Sequence, residues 1–589
     1  MCGIAAYKGT KDPSSLLVAS LKRLEYRGYD SWGIAVKNKE ILVSKKVGKI
    51  SEIKEGDLSS HKDAQPSIGI SHTRWATNGR VTETNAHPHL SNNGFIAVVH
   101  NGIIENYSDL KKDLEKEGFS LKSECDSEII PNLVEFQMSK NLDFITACVN
   151  AFRLLEGSYA VVVMQKDFDG LIAVRNGSPL VLGVGENEFF AASDIPAFLE
   201  HTRKAIYLSD NEIAVIGDDL KVFSLDSCRA IKKEISEIDW SLEQAEKGNY
   251  PHFMLKEINE QAYTIKKAVE QDKNLVEEIS KMIKHAKGVF FLGCGTSFHA
   301  CVSASYVFSH VAGMHVNTVL ASEFANYRDF INRDTLVFAV SQSGETADLL
   351  DAVKASQEKG AKVVSVVNVM GSTLTRVADK NIMMNSGPET CVLSTKTYTA
   401  QLAILNLLAY TVAGRYNQGK QILEKAVSAT ENIISSTEPL AKELAKKLKD
   451  KKSMFLIGRD LAFPSALEGA LKIKEVSYIH AEGFAGGELK HGTIALIEQD
   501  TPVIVLSTPS TRRLINSNAN EVKSRGAYLI GIGSQESTAY DFYLPVEDFG
   551  MANPITMILP VQLLSYYLAL EKNLDPDKPR NLAKSVTVR

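Results

Sequence analysis

The second half of this 589-residue chain repeats itself. KGVFFLGCG (287–295) returns as KSMFLIGRD (452–460), and DTLVFAVSQSGET (334–346) returns as DTPVIVLSTPSTR (500–512). EKGAKVVSVVNV (358–369) returns as SRGAYLIGIG (524–533), and QLAILNLLAY (401–410) as QLLSYYLALE (562–571). The offsets are 165, 166, 166 and 161, in the same order. Whatever this half folds into must therefore be buildable twice. Each short apolar run closes in a small polar loop before a helical pattern. That is the layout of a doubly wound parallel α/β sheet, where ligands sit beyond the carboxyl ends of the strands.

The first 230 or so residues have another texture. IAVVHNGIIEN, SYAVVVMQKD, GLIAVRNG and EIAVIGDD are short β-rich runs between turn signals, with helices such as DLKKDLEKEG (109–118) among them. Around 236–250 the pattern lapses into SEIDWSLEQAEKGNY, which reads as a connection. The expected organisation is a first domain over 1–238, a linker over 239–252, and two α/β copies over 253–425 and 426–589.

Composition narrows the function. Lys and Arg total 66 against 71 Asp and Glu, a net charge of −5, so there is no global footprint for nucleic acid. The most membrane-like stretch, PITMILPVQLLSYYLAL (554–570), is broken by Pro560, Gln562 and two tyrosines, and reads as a buried core helix. Seven cysteines form no CxxC and no regular framework. They fit a reduced, cytoplasmic setting and imply neither disulfides nor zinc.

The repeat carries a functional asymmetry. Copy one has SQSGET where copy two has STPSTR, so Ser341, Gln342, Ser343 and Thr346 surround a glycine just before a helix. Such a loop suits a phosphate, and equally suits an ordinary turn with a helix cap. Thr296 and Ser297 in GCGTSF, and the VLSTKTYT stretch with Thr395, would bring further hydroxyls to the same rim. GCGTSF lacks the third glycine of a dinucleotide fingerprint, and no Walker pattern occurs.

Cys2 stands directly after the initiator methionine, and its small side chain makes removal of Met1 expected. A free α-amine has a pKa of about 7.7–8.0 against about 10.4 for lysine. An amino-terminal cysteine can thus hold nucleophile and general base in one residue. A small residue opening a buried strand is the plainer alternative. LEYRGYDSWG (24–33), HTRWATNG (72–79), NAHPH (85–89), VVHNGIIEN (99–107) and ECDSEII (124–130) decide between them. With these motifs the first half resembles the class II glutamine amidotransferases of the amino-terminal-nucleophile superfamily, an α+β, αββα fold. The resemblance implies that Cys2 attacks the carboxamide of glutamine and that Asn101 and Gly102 stabilise the oxyanion. It implies that Arg74 and Asp126 hold the carboxylate and amine of the substrate, and that Trp75 gates an ammonia channel. His87-Pro88-His89 raises a metal, but no third ligand is spaced nearby in sequence, and no metal is expected.

The second half resembles the duplicated sugar-isomerase (SIS) fold, most specifically in LEGALKIKEVSYIHAEGFAGGELKHG (467–492) and DKPRNLAKSVTV (577–588). Glu468, Lys472 and Glu475 fall at i, i+4 and i+7 on one helix face, which spacing alone would read as an exposed ion pair. The two halves together resemble a family of isomerising glutamine–sugar-phosphate aminotransferases. That implies L-glutamine and fructose 6-phosphate as substrates, and glucosamine 6-phosphate and glutamate as products, with no organic cofactor. It also implies roles for Glu475 in proton transfer between C1 and C2, Lys472 beside it, His491 in ring opening and Lys584 on the open sugar. Thr296, Ser297, Ser341, Gln342, Ser343, Thr346, Val392, Ser394 and Ala583 would hold the substrate. His491 is supplied by a partner subunit in that family, which implies a homodimer. Trp32, Asn78, Leu393, Thr493 and Arg589 depart from the family pattern without removing a catalytic residue. The alternatives are an amidotransferase with another phosphosugar acceptor and a sugar-phosphate sensor without catalysis. A sensor would be expected to lack Cys2 or Glu475.

Overall fold

The computed structural model describes residues 2–54, 56–58, 67–76, 78–238 and 242–587. Met1, the start of the expected linker (239–241) and the Arg589 departure lie outside the described residues. The chain divides into two compact units, Met1–Ala245 with Ala583–Arg589, and Glu246–Leu582.

The first unit is built on two antiparallel sheets, one of eight strands and one of seven. Their central strands are buried on both faces, and the period of two sorts residues between layers. Along Gly3–Lys8, Ile4 and Ala6 enter the core between the sheets, while Ala5 and Tyr7 face the cluster containing Leu17, Leu21 and Leu24 of the helix Pro13–Leu24. Along Ile96–Ile104, Ala97 and Val99 go between the sheets. Ile96 and Val98 join the core under Ile129–Met138 and Phe144–Phe152. Helix, sheet, sheet and helix follow in that order, the αββα arrangement expected from the sequence. Trp32 is buried in the cluster under Pro13–Leu24, so this departure is absorbed by core packing.

The second unit contains two parallel five-stranded sheets. The first runs, in spatial order, Asn317–Leu320, Gly288–Gly293, Thr335–Ser341, Lys362–Val367, Lys380–Met383. The second runs His480–Ala485, Ser453–Gly458, Pro502–Ser507, Tyr528–Gly533, Phe542–Pro545. Both have chain order 2-1-3-4-5, so the repeat read in the sequence is a repeat of topology. In that order the switch point, where opposite crossovers open a crevice, lies between the first and third strands. In copy one those strands are Gly288–Gly293 and Thr335–Ser341, which pair in register.

One apolar core runs through both copies. The boundary expected at 425/426 falls inside the helix Tyr416–Leu448, which packs on Gln261–Val269 and on Leu559–Glu571 and ties the copies together. The tail from Ala583, expected with the second copy, groups with the first unit. By length and composition Gly550–Glu571 could cross a membrane, but 89% of its most apolar window is buried inside the protein, as expected of a core helix.

Candidate active sites

Cys2 enters the strand Gly3–Lys8, half-buried. Its Sγ accepts the backbone N–H of Trp75 at 3.2 Å, and the thiol lies 3.4 Å from the Trp75 carbonyl. The Cys2 carbonyl accepts from Asn101 Nδ2 at 2.9 Å and from Arg27 Nε at 3.2 Å. Burial pushes the thiol pKa up, against the opposing pull of the amino terminus, the Trp75 N–H and the arginines. The sulfur therefore needs a base, as a nucleophile paired with its own α-amine would have.

Asn101 and Gly102 sit in the strand Ile96–Ile104. One N–H of the Asn101 amide is spent on Cys2, which leaves a second to offer an oxyanion. Gly102 has φ +122°, and a Cβ there would stand 1.8 Å from the Ser158 carbonyl oxygen. No other residue fits.

Arg74, 2% exposed, ends the strand Ile68–Arg74. Its Nη atoms donate to the carbonyls of Arg80 (3.1 Å), Gly79 (3.2 Å) and Asn78, so it pins the following loop. Its charge is at the site, but three of its four terminal hydrogens go to main-chain carbonyls, which the sequence did not show. Asp126, also buried, accepts from Ile104 N–H at 2.9 Å. The Trp75 ring stands edge-on to Tyr29 at 5.2 Å.

The expectation that no third ligand accompanies His87 and His89 is corrected. Cys125 comes from 36 residues on, and the candidate ligand atoms of the three lie within 4.8 Å of one another. Yet His87 Nδ1 accepts the backbone N–H of His100 at 3.3 Å, which places the ring proton on Nε2, 3.9 Å from Cys125 Sγ. A metal-bound imidazole instead donates its second nitrogen. The cluster fits a hydrogen-bonded histidine core better than a metal centre. His72 stacks on His87 at 4.0 Å, and its Nε2 lies 3.0 Å from Asn101 Oδ1. Burial lowers the pKa of His72 to about 3, and of His87, His89 and His100 below the ordinary range. Burial, with Asp126 adding, raises the Cys125 thiol to about 11. Arg27, which ties Cys2 to Asp194 (3.1 Å), was visible only as part of the YRGYDS stretch.

In the second unit the switch-point crevice is edged by the expected hydroxyls. Gly344, at φ +66°, donates its N–H to Ser341 Oγ (3.0 Å), and Ser341 Oγ lies 3.3 Å from Thr346 Oγ1. Glu345 N–H donates to Ser343 Oγ at 3.2 Å, and Asn368 N–H to the Gln342 carbonyl at 3.2 Å. The helix Ala347–Glu358 follows directly. Thr296 and Ser297 open the helix Thr296–Val307 from the neighbouring strand, and Gln401 Nε2 donates to Ser297 Oγ at 3.1 Å. Val392 and the fully buried Leu393 lead into Ser394, just ahead of Lys396–Val412.

Glu468, Lys472 and Glu475 lie on Ala462–Ser477, the copy-two counterpart of Thr296–Val307, and the two helices pack together. Their spacing alone suggested a solvated face. Instead the Glu468 and Lys472 side chains are 0% exposed. Lys472 Nζ stands 2.8 Å from Glu475 Oε2, 3.3 Å from Glu468 Oε1, 3.0 Å from Thr296 Oγ1 and 3.3 Å from the Ser394 carbonyl. Burial pulls its pKa down, but the two carboxylates outweigh burial and hold it above the ordinary lysine value. A charged triplet in the interior survives only when paired this closely. His299, which the sequence reading did not single out, places Nδ1 2.8 Å from Glu468 Oε2.

His491 is not brought to this cluster. It ends the 3-10 segment Gly486–His491, exposed and without a hydrogen-bond partner among the described residues. Ala583 and Lys584 lie in the irregular tail that groups with the first unit.

A glutamine amidotransferase domain model matches residues 72–200, and an SIS domain model matches 282–411 and 447–572. The glutamine--fructose-6-phosphate aminotransferase [isomerizing] of Thermococcus kodakarensis is 44% identical over 605 residues, covering 100% of both chains. That of Clostridium perfringens is 42% identical over 618 residues, again covering 100% of both. Among solved structures, the C-terminal domain of glucosamine-fructose-6-phosphate aminotransferase from Francisella tularensis matches with TM-score 0.51 and 32% identity, covering 57% of this chain and 100% of that one.

Proposed function

Since the chain belongs to the isomerising glutamine--fructose-6-phosphate aminotransferase family, an enzyme of glutamine-dependent amino-sugar synthesis, we propose how its own residues divide that reaction. Cys2, freed of Met1, attacks the carboxamide of glutamine with its α-amine as base. Asn101 and Gly102 take the oxyanion, and the charges of Arg74 and Asp126 suit the two ends of a zwitterion. Glutamate and ammonia result.

Fructose 6-phosphate is held by its phosphate at the switch-point crevice, on Ser341, Gln342, Ser343 and Thr346, with Thr296 and Ser297 at the next helix start. Val392, Ser394 and Ala583 complete the site, and Lys584 engages the open sugar. Glu475 moves the proton between C1 and C2, with the Lys472 ammonium 2.8 Å from its Oε2. Ammonia passes Trp75 and ends on C2 of glucosamine 6-phosphate. His491 opens the ring of a sugar bound by the other subunit of a homodimer. Its exposure, with no hydrogen-bond partner among the described residues, supports that reading. Seven free cysteines support a reducing, cytoplasmic compartment.

The observation that carries the isomerase half is the Lys472 ammonium buried between Glu468 and Glu475 beside Thr296. Separating the half-reactions tests the division of labour. C2A should abolish glutamine hydrolysis, with a loss on the order of 1,000-fold or more, while interconversion of fructose 6-phosphate and glucose 6-phosphate persists. E475Q should do the reverse. Loss of both half-reactions in either variant would sink the assignment.

A further inference from the structure

The geometry points to His299 as a positioning residue for the sugar half-reaction, acting through Glu468; this rests on the isomerase reading above. His299 lies on the helix Thr296–Val307 of copy one, and Glu468 on Ala462–Ser477 of copy two, 169 residues away in the chain. Glu468 has no water-facing surface, so protein must supply everything its carboxylate binds. Its Oε1 takes the Thr296 hydroxyl at 3.1 Å and faces Lys472 at 3.3 Å, while its Oε2 takes His299 at 2.8 Å. An ionised carboxylate only accepts, so His299 carries its proton on Nδ1 and donates it.

The consequence runs through Lys472. Its ammonium has three hydrogens and faces four acceptors, on Glu468, Glu475, Thr296 and Ser394. How the ammonium divides between the two carboxylates depends on how well Glu468 is satisfied elsewhere. With His299 on Oε2, Glu468 leaves Lys472 leaning toward Glu475, at 2.8 Å against 3.3 Å. Without that donor, Glu468 draws the ammonium back, and its 2.8 Å contact with Glu475 loosens. Tyr398, fully buried and with its ionisation held back by burial and by Glu468, stays a neutral phenol and adds no charge to the cluster. His299 thus acts through Glu468 and Lys472 on the carboxylate that moves the proton.

The test is interconversion of fructose 6-phosphate and glucose 6-phosphate by the full chain, without glutamine, for H299L, H299N and H299Q. Asparagine places Nδ2 where histidine has Nδ1, whereas the glutamine amide lies one bond further out. H299L and H299Q should lose kcat on the order of 10- to 100-fold, the worth of one charge-assisted hydrogen bond, with KM within about 3-fold. H299N should recover most of the wild-type kcat. Equal rates in H299N and H299Q, or a loss carried by KM, would overturn the proposal. Should H299L fail to fold by circular dichroism, the comparison of H299N with H299Q decides. A wild-type chain that does not interconvert the sugars would overturn the isomerase reading itself, a pattern distinct from any difference among variants.

Discussion

Lys472 is a residue whose spacing says surface and whose surroundings say interior. Its ammonium stays protonated because Glu468 and Glu475 outweigh the cost of burial. The sign is that of a raised base: the stabilisation is complete below the ordinary lysine pKa of about 10.4 and is lost only above it. Removing the cation should therefore be worse than removing the whole pair. K472M leaves Glu468 charged and buried, and should destabilise the chain by about 3–5 kcal/mol in urea unfolding. Adding E468Q should return a good part of that loss. If K472M unfolds at the wild-type midpoint, the triplet is not buried as described. The Glu468–Lys472–Glu475 spacing was legible in the sequence. Its burial was not, because burial comes from His299 and Thr296 on the other copy, and nothing in a local pattern announces a contact across 169 residues.

At the scale of elements, the strand Ile96–Ile104 shows how a backbone requirement shapes a site. Gly102 runs at φ +122° against the Ser158 carbonyl, so G102A must either distort the strand or displace its neighbour. The expected result is a drop in glutamine hydrolysis of at least about 100-fold, since one displaced oxyanion donor already costs that much. Sugar interconversion should persist. A G102A enzyme with normal glutaminase rate would remove Gly102 from the site.

The same strand borders the buried histidines. His72, His87, His89 and His100 bind protons less readily folded than unfolded because burial disfavours the imidazolium, so stability must fall as pH drops through the ordinary histidine value of about 6.5. Trp32 and Trp75 lie in the first unit, so their fluorescence reports on it. Denaturant unfolding followed that way should show the midpoint falling between pH 7.5 and 5.5. A flat profile would mean the histidines are not held neutral.

The sheets themselves were legible, since apolar strand runs and a constant offset survive in one sequence. The approach of Cys125 to His87 and the commitment of Arg74 to loop carbonyls were not, because both are made by the path of loops between strands.

For the whole molecule, the repeat fixed what to look for and the connections escaped it. The helix Tyr416–Leu448 carries the chain from one copy to the other without a break, because its only proline, Pro439, does not end it. An exposed His491, with no hydrogen-bond partner among the described residues, belongs to an account in which subunits share sites. Mixing H491A with E475Q protomers under exchange conditions should restore sugar interconversion, since a mixed dimer would contain one intact site. No recovery, with exchange shown by mass, would place His491 within its own subunit's site or outside the chemistry.

The central claim is that one chain couples two centres, and glutamate release measured alongside hexosamine phosphate tests it most directly. The account predicts that fructose 6-phosphate strongly stimulates glutamate release from glutamine, matched one-for-one by glucosamine 6-phosphate. Glutamate released at the same rate with or without the sugar, and no hexosamine phosphate formed, would contradict it.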